Sequence, residues 1–144
     1  MSKVDFYILP SDAPRDRLEY ACKLSAKAWR EGLQVYLRCQ DAAQCSELDE
    51  RLWSFRGESF IPHHCSDGSN EASAPVLLGT GEPPDALRGL LINLGAGVPD
   101  AAAQFQRVAE LVIEEPQVRQ QARDNFRFYR ERGYPLRDHR LTRC

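Results

Sequence analysis

Four arginines, Arg119, Arg123, Arg127 and Arg130, recur at spacings of three and four late in the chain. On an α-helix such spacing gathers them on one side. Arginine's planar fork suits carboxylates and phosphates, and cations this close repel one another unless something relieves them. Asp124 and Glu131 point away from that side, and Phe126 stands at its seam. The pattern therefore reads as an anion-recognition surface beside an aromatic or apolar cleft. The alternative is a solvated basic face whose only role is solubility.

A helix must carry these residues, and the sequence supplies its ends. Pro116 suits a first helical turn, Gly133 suits the left-handed stop, and good helix formers lie between them. At about 100° per residue, Val118, Ala122 and Tyr129 cluster on a second face, which should pack on the body of the protein. Val4 to Leu9 and Leu33 to Cys39 read as strands, with a helix from about Ser11–Pro14 to Glu31 between them and Gly32 as its stop. Asp41 resembles an N-cap with Gln44 as its capping-box partner, opening a helix to about Leu52 that buries Cys45, Leu48 and Leu52. Val76–Gly79, Leu90–Leu94 and Ala109–Ile113 read as further strands, and Pro99 and Asp100 open a short helix. Strand, helix, strand, helix with short links is the pattern of a right-handed parallel α/β unit.

At 144 residues, 42% hydrophobic and 28% charged, the chain reads as one globular domain, residues 1–144. No apolar run approaches the roughly 20 residues of a membrane span. The opening Met1-Ser-Lys-Val-Asp lacks signal-peptide features, so a cytoplasmic location is expected. Net charge is −2, but it is uneven: from Arg119 onward there are eight arginines against three acids, and before it 11 basic against 18 acidic residues. An acidic body with one basic end favours a limited acidic partner over a long nucleic-acid track. The segment from Arg137 to Cys144 is expected to be a flexible basic tail.

Other chemistries find less support. There is no GxxxxGK[ST], the first strand-to-helix turn at Leu9-Pro10-Ser11-Asp12 has no glycine, and Gly79-Thr-Gly81-Glu-Pro-Pro84 places proline where a third glycine belongs. A nucleotide-binding enzyme is therefore disfavoured, and no cofactor is expected. His63, His64 and Cys65 lack a catalytic elbow and read as a capping turn. Zinc on Cys39, Cys45, His63, His64 or Cys65 would lack the usual ligand spacing, so no metal is expected. Trp53, Phe55, Phe60 and Ile61 crowd an aperiodic stretch before Pro62, which suits interface anchors better than a core.

Several stretches together resemble the chi subunit of bacterial DNA polymerase III. They are Phe6-Tyr-Ile-Leu, Ala28-Trp29-Arg30 with Gly32, Leu48-Asp-Glu-x-Leu-Trp53, Glu58-Ser-Phe-Ile-Pro-His63 and Ala122-Arg-x-x-Phe-x-x-Tyr-Arg-x-x-Gly-Tyr134. The resemblance covers nearly the whole chain in the same order. It implies a Rossmann-like three-layer α/β fold with a mostly parallel sheet and no nucleotide loop. It also implies a non-catalytic accessory of the clamp-loader complex. That accessory bridges the psi subunit to the acidic, phenylalanine-ending tail of single-stranded DNA-binding protein. By position, Arg123, Phe126 and Arg127, with Arg119 and Val112, match the tail site, and Trp53, Phe60, Pro62 and His63 match a surface shared by psi and a helicase partner. Phe126 stands where tyrosine is common and Arg127 where lysine is, which keeps the apolar wall and the charge. Direct nucleic-acid binding is the competing function.

Overall fold

The computed structural model describes residues 2–54, 62–65 and 74–142. Seven strands form one sheet: β1 (Lys3–Ile8), β2 (Val35–Arg38), β3 (His63–Cys65), β4 (Val76–Gly79), β5 (Leu90–Asn93), β6 (Arg107–Val112) and β7 (Leu136–Arg140). Their order is β3-β4-β2-β5-β6-β1-β7, and every pair is parallel. Helices α1 (Pro14–Arg30), α2 (Ala42–Ser54) and α3 (Pro116–Glu131) cover its faces, with a short 3-10 helix at Asp100–Gln104. A parallel sheet needs both faces covered, which explains the continuous apolar runs of β4 and β5.

Alternation along β1 divides the core in two. Tyr7 and Leu9 join Leu18, Cys22, Leu48 and Leu52 in the layer under α1 and α2. Val4 and Phe6 join Tyr36, Leu91, Val108 and Tyr129 in the layer under α3. The expected helix boundaries hold closely, and the expected stops do their work: Gly32 and Gly133 have φ of 83° and 75°. At α2, Asp41 Oδ1 accepts from the Gln44 N–H at 2.8 Å, while the Gln44 side chain reaches back to the Gln40 N–H.

Two expectations need correction. His63, His64 and Cys65 form strand β3 on the sheet edge and not a capping turn; Cys65 lies level with Leu78 of β4. The expected tail from Arg137 to Cys144 is instead a strand through Arg140, paired along β1 from Val4↔Leu136 to Ile8↔Arg140. The cause is the open edge of β1 together with buried Asp5. His139 Nε2 lies 2.8 Å and Arg137 Nε 3.4 Å from its Oδ1, and Arg107 Nη2 is 3.9 Å from its Oδ2. A buried carboxylate needs such partners. Charges along β7 also guard the sheet edge against further strand addition.

Candidate functional site

Helix α3 is fixed at three levels. Glu115 caps its start, its carboxylate accepting from the Gln117 and Val118 N–H groups at 3.1 and 2.9 Å. Pro116 takes the first turn. Beneath the helix lies Glu110 of β6, only 3% exposed. It accepts from Tyr129 Oη at 2.6 Å, Asn93 Nδ2 at 2.9 Å and Asn125 Nδ2 at 3.2 Å. Burial pushes the Glu110 carboxyl above its ordinary pKa, while these donors and the buried Arg17 pull it back. Burial likewise raises the Tyr129 phenol, reinforced by the adjacent Glu110. A satisfied buried network of this kind sets how the helix is rotated about its own axis.

That rotation places the arginines. Tyr129 is buried, Val118 and Ala122 are half-buried, and Arg119, Arg123, Arg127 and Arg130 are exposed. Among the described residues, no carboxylate comes within ion-pair distance of these four; Asp124 is taken by Gln120 Nε2 at 3.1 Å. A cleft of about 290 Å³ opens beside them, at the carboxyl ends of β6, β1 and β7. Its floor is Phe6, Ile8, Val112 and Ile113, and its wall is Ala122 and Phe126. Phe126 meets Phe6 edge-to-face at 5.5 Å between ring centroids. Arg119, Arg123 and Arg140 stand at the rim, together with Glu114 and Asp138. A cavity of roughly 150 Å³ holds benzene, so the space admits one aromatic ring with room around it.

Of the residues expected to form a tail site, the structure therefore brings together Arg119, Arg123, Phe126 and Val112. Arg127 is exposed on the same helix but does not line the cleft. Sequence reasoning missed Arg140, Phe6 and Ile8. The first was hidden by treating its segment as a tail; the others lay in a run read only as a strand. The i, i+2 alternation of Phe6 and Ile8 with Val4 was the available signal.

The second expected group is partly gathered. Trp53, at the end of α2, is 62% exposed, and its ring lies edge-on to His63 at 5.0 Å. His63 Nε2 is 3.1 Å from Asp49 Oδ1, and Pro62 adjoins it, half-buried. Phe60, Phe55 and Ile61 lie outside the described residues.

At the places where phosphate would sit in a nucleotide-binding relative of this fold, the chain supplies its own carboxylates. Asp41 caps α2, Glu115 caps α3, and Ser11 at the start of α1 is bonded to Asp16. A cavity of about 500 Å³ between those helix starts is rimmed by Asp41, Glu47 and Glu115. Helix N-termini attract anions, and here that attraction is met from within.

The family profile described as "DNA polymerase III chi subunit, HolC" matches residues 1–137. The chain belongs to the chi subunit family. It is 62% identical over 143 residues to "DNA polymerase III subunit chi" of Pseudomonas aeruginosa, covering 99% of each chain. It is 33% identical over 141 residues to the Escherichia coli protein of the same name, covering 94% of this chain and 96% of that one. A crystal structure of T4 UvsW superposes with a TM-score of 0.67 at 7% identity, over 96% of this chain and 41% of that one, a likeness of fold. Membership of the chi family gives the chain an accessory role in replication within DNA polymerase III, alongside protein partners. Among the described residues no helix is long and apolar enough to cross a membrane.

Proposed function

We propose that this chi-family chain is a non-catalytic bridge in the clamp-loader complex. One surface holds the acidic C-terminal tail of single-stranded DNA-binding protein, and another holds the psi subunit or, in turn, a helicase. The cleft between α3 and the ends of β6, β1 and β7 carries this function, because it sets an apolar floor beside arginines that, among the described residues, no carboxylate holds in an ion pair. A peptide ending in phenylalanine offers a ring, a terminal carboxylate and side-chain carboxylates. The ring enters between Phe6, Val112 and Phe126, and Arg119, Arg123 and Arg140 meet the carboxylates. Arg127 and Arg130 extend the positive field along the incoming chain.

A charge-assisted hydrogen bond contributes about 1.5–3 kcal/mol and a well-buried aromatic side chain on the order of 2–3 kcal/mol. Ordering the tail offsets part of that sum. Affinity near 1 μM, about −8 kcal/mol, follows. Glu114 and Asp138 at the rim select discrete carboxylates over a continuous phosphate track, which disfavours direct nucleic-acid binding. Trp53 and His63 lie on the opposite face, at the amino end of the sheet, so both surfaces can be filled at once.

The test is fluorescence anisotropy with an acidic peptide ending in phenylalanine, alongside size-exclusion co-elution with psi. Arg123→Ala should weaken the peptide about tenfold and leave psi association intact. Trp53→Ala and Phe60→Ala should do the reverse. Unchanged peptide affinity in Arg123→Ala, or full psi affinity in both aromatic variants, overturns the corresponding half.

A further inference from the structure

Three of the chain's cysteines, scattered in sequence, meet at the carboxyl ends of β2 and β3 beneath the start of α2. Cys39 directly follows β2, where its N–H donates to Gly79 O at 2.7 Å. Cys65 closes β3 level with Leu78, which is also level with Leu37 of β2. Strand alternation turns Cys39 and Cys65 to the same face as Leu37 and Leu78, the face under α2. Cys45, in the first turn of α2, lies over that face beside both thiols, while the Cys39 S–H donates to Leu37 O at 3.6 Å. Asp49, one helical turn farther on, lies near Cys65, and its Oδ1 is 3.1 Å from His63 Nε2. All three cysteines are free, with Cys39 buried, Cys45 half-buried and Cys65 exposed.

We propose that Cys45 is a peroxide-reactive thiolate that closes a reversible disulfide with Cys65, tying α2 to β3. Cys45 lies beside two other thiols, whose S–H groups can turn toward it once it ionises. Hydrogen bonds from Cys39, and then from Cys65, lower its thiol to about 7 against the opposing effects of burial and Asp49. Burial, Asp49 and Cys45 hold Cys65 up at about 11, so it remains the proton-bearing partner. Cys22 lies in the core, where burial pushes it up to about 12, and it serves as an inert internal control.

The reaction balances with a hydroperoxide as oxidant. The Cys45 sulfur attacks one peroxide oxygen, the O–O bond breaks, and the departing hydroxide takes a proton to leave as water. Cys65 sulfur then attacks the resulting sulfenic acid. The S–S bond forms as the S–O bond breaks, and the second oxygen leaves as water with the Cys65 proton. Two electrons pass from the thiols to the peroxide, and a small thiol reverses the bond. Strand β3 is three residues long and lies at the sheet edge, so it can move the short distance that disulfide geometry demands. Closure removes Cys65 as a partner of Asp49, which holds His63 against Trp53. This last consequence, unlike the disulfide itself, rests on reading Trp53 as a docking residue.

The experiment treats the full chain with hydrogen peroxide, alkylates the remaining thiols and maps the peptides by mass spectrometry. A Cys45–Cys65 cross-link is expected, forming roughly tenfold faster at pH 8 than at pH 6 as Cys45 ionises, with Cys22 still reduced. In Cys65→Ser, Cys45 should accumulate as a sulfenic acid trapped by dimedone; in Cys45→Ser, the cross-link should vanish while the melting temperature holds. A Cys39–Cys45 bond as the main product, or Cys45 oxidation no faster than that of Cys22, overturns the proposal.

Discussion

Tyr129→Phe removes one oxygen from the network that seats α3, and its cost should depend on pH in a defined direction. The Tyr129 hydroxyl donates to Glu110 Oε2 at 2.6 Å, the shortest of the three bonds this carboxyl accepts. Losing a bond to an ionised carboxylate costs about 1.5–3 kcal/mol, and losing one to a neutral carboxyl about 1 kcal/mol. Burial raises the folded-state pKa of Glu110 above its unfolded value. Stability from this group is thus fully present below the unfolded pKa and falls as pH rises through the folded one. The substitution removes a donor that favours the charged form, so it raises the folded pKa further and extends the fall. The deficit should grow from about 1 kcal/mol at pH 4.5 to about 2–3 kcal/mol at pH 8. Urea denaturation at both pH values, with an unchanged m-value, measures it. Tyr36→Phe is the control: its hydroxyl donates to Gly81 O at 2.9 Å, so its deficit should stay flat. Equal Tyr129→Phe deficits at the two pH values would refute an ionising Glu110 bonded to this helix.

Two further outcomes follow from neighbouring contacts. Glu115→Ala removes the side chain that caps α3 and should destabilise the fold by about 1 kcal/mol in the same urea assay. Arg140→Ala should weaken the phenylalanine-ending acidic peptide about fivefold, roughly 1 kcal/mol, with stability changed by under about 0.5 kcal/mol. The loss should shrink as ionic strength rises, because exposed charges are screened.

Much of this architecture was legible because periodic burial and punctuation agree. Pro116 and Gly133 bracket α3, and the face read from Val118, Ala122 and Tyr129 is the one that packs. Asn125 escaped notice because a polar residue on a packing face looks like surface until its partner is known. Glu110 sat inside an apolar strand with nothing local to mark it as a buried acceptor. Their pairing depends on β6 lying under α3, a nonlocal fact. Arg137–Arg140 looked like the start of a tail because three charged residues and a histidine carry almost no hydrophobic signal; only the unfilled edge of β1 and the buried Asp5 make that segment a strand. The arginines and Phe126 were readable from spacing alone, whereas the cleft floor required two strands far apart in sequence, β1 and β6, to come together.

The position of β1 bears on how the molecule comes into being. Its two hydrogen-bonded neighbours are β6 and β7, with Lys3 opposite Arg107 and Val4 opposite Leu136. The earliest-made strand must therefore wait for nearly the last before either of its edges is satisfied. Closing such long loops is slow, and an apolar ribbon with open edges invites misassociation meanwhile. Nascent chains stalled before residue 107 should thus be chaperone clients, unable to shelter the segment that emerged first.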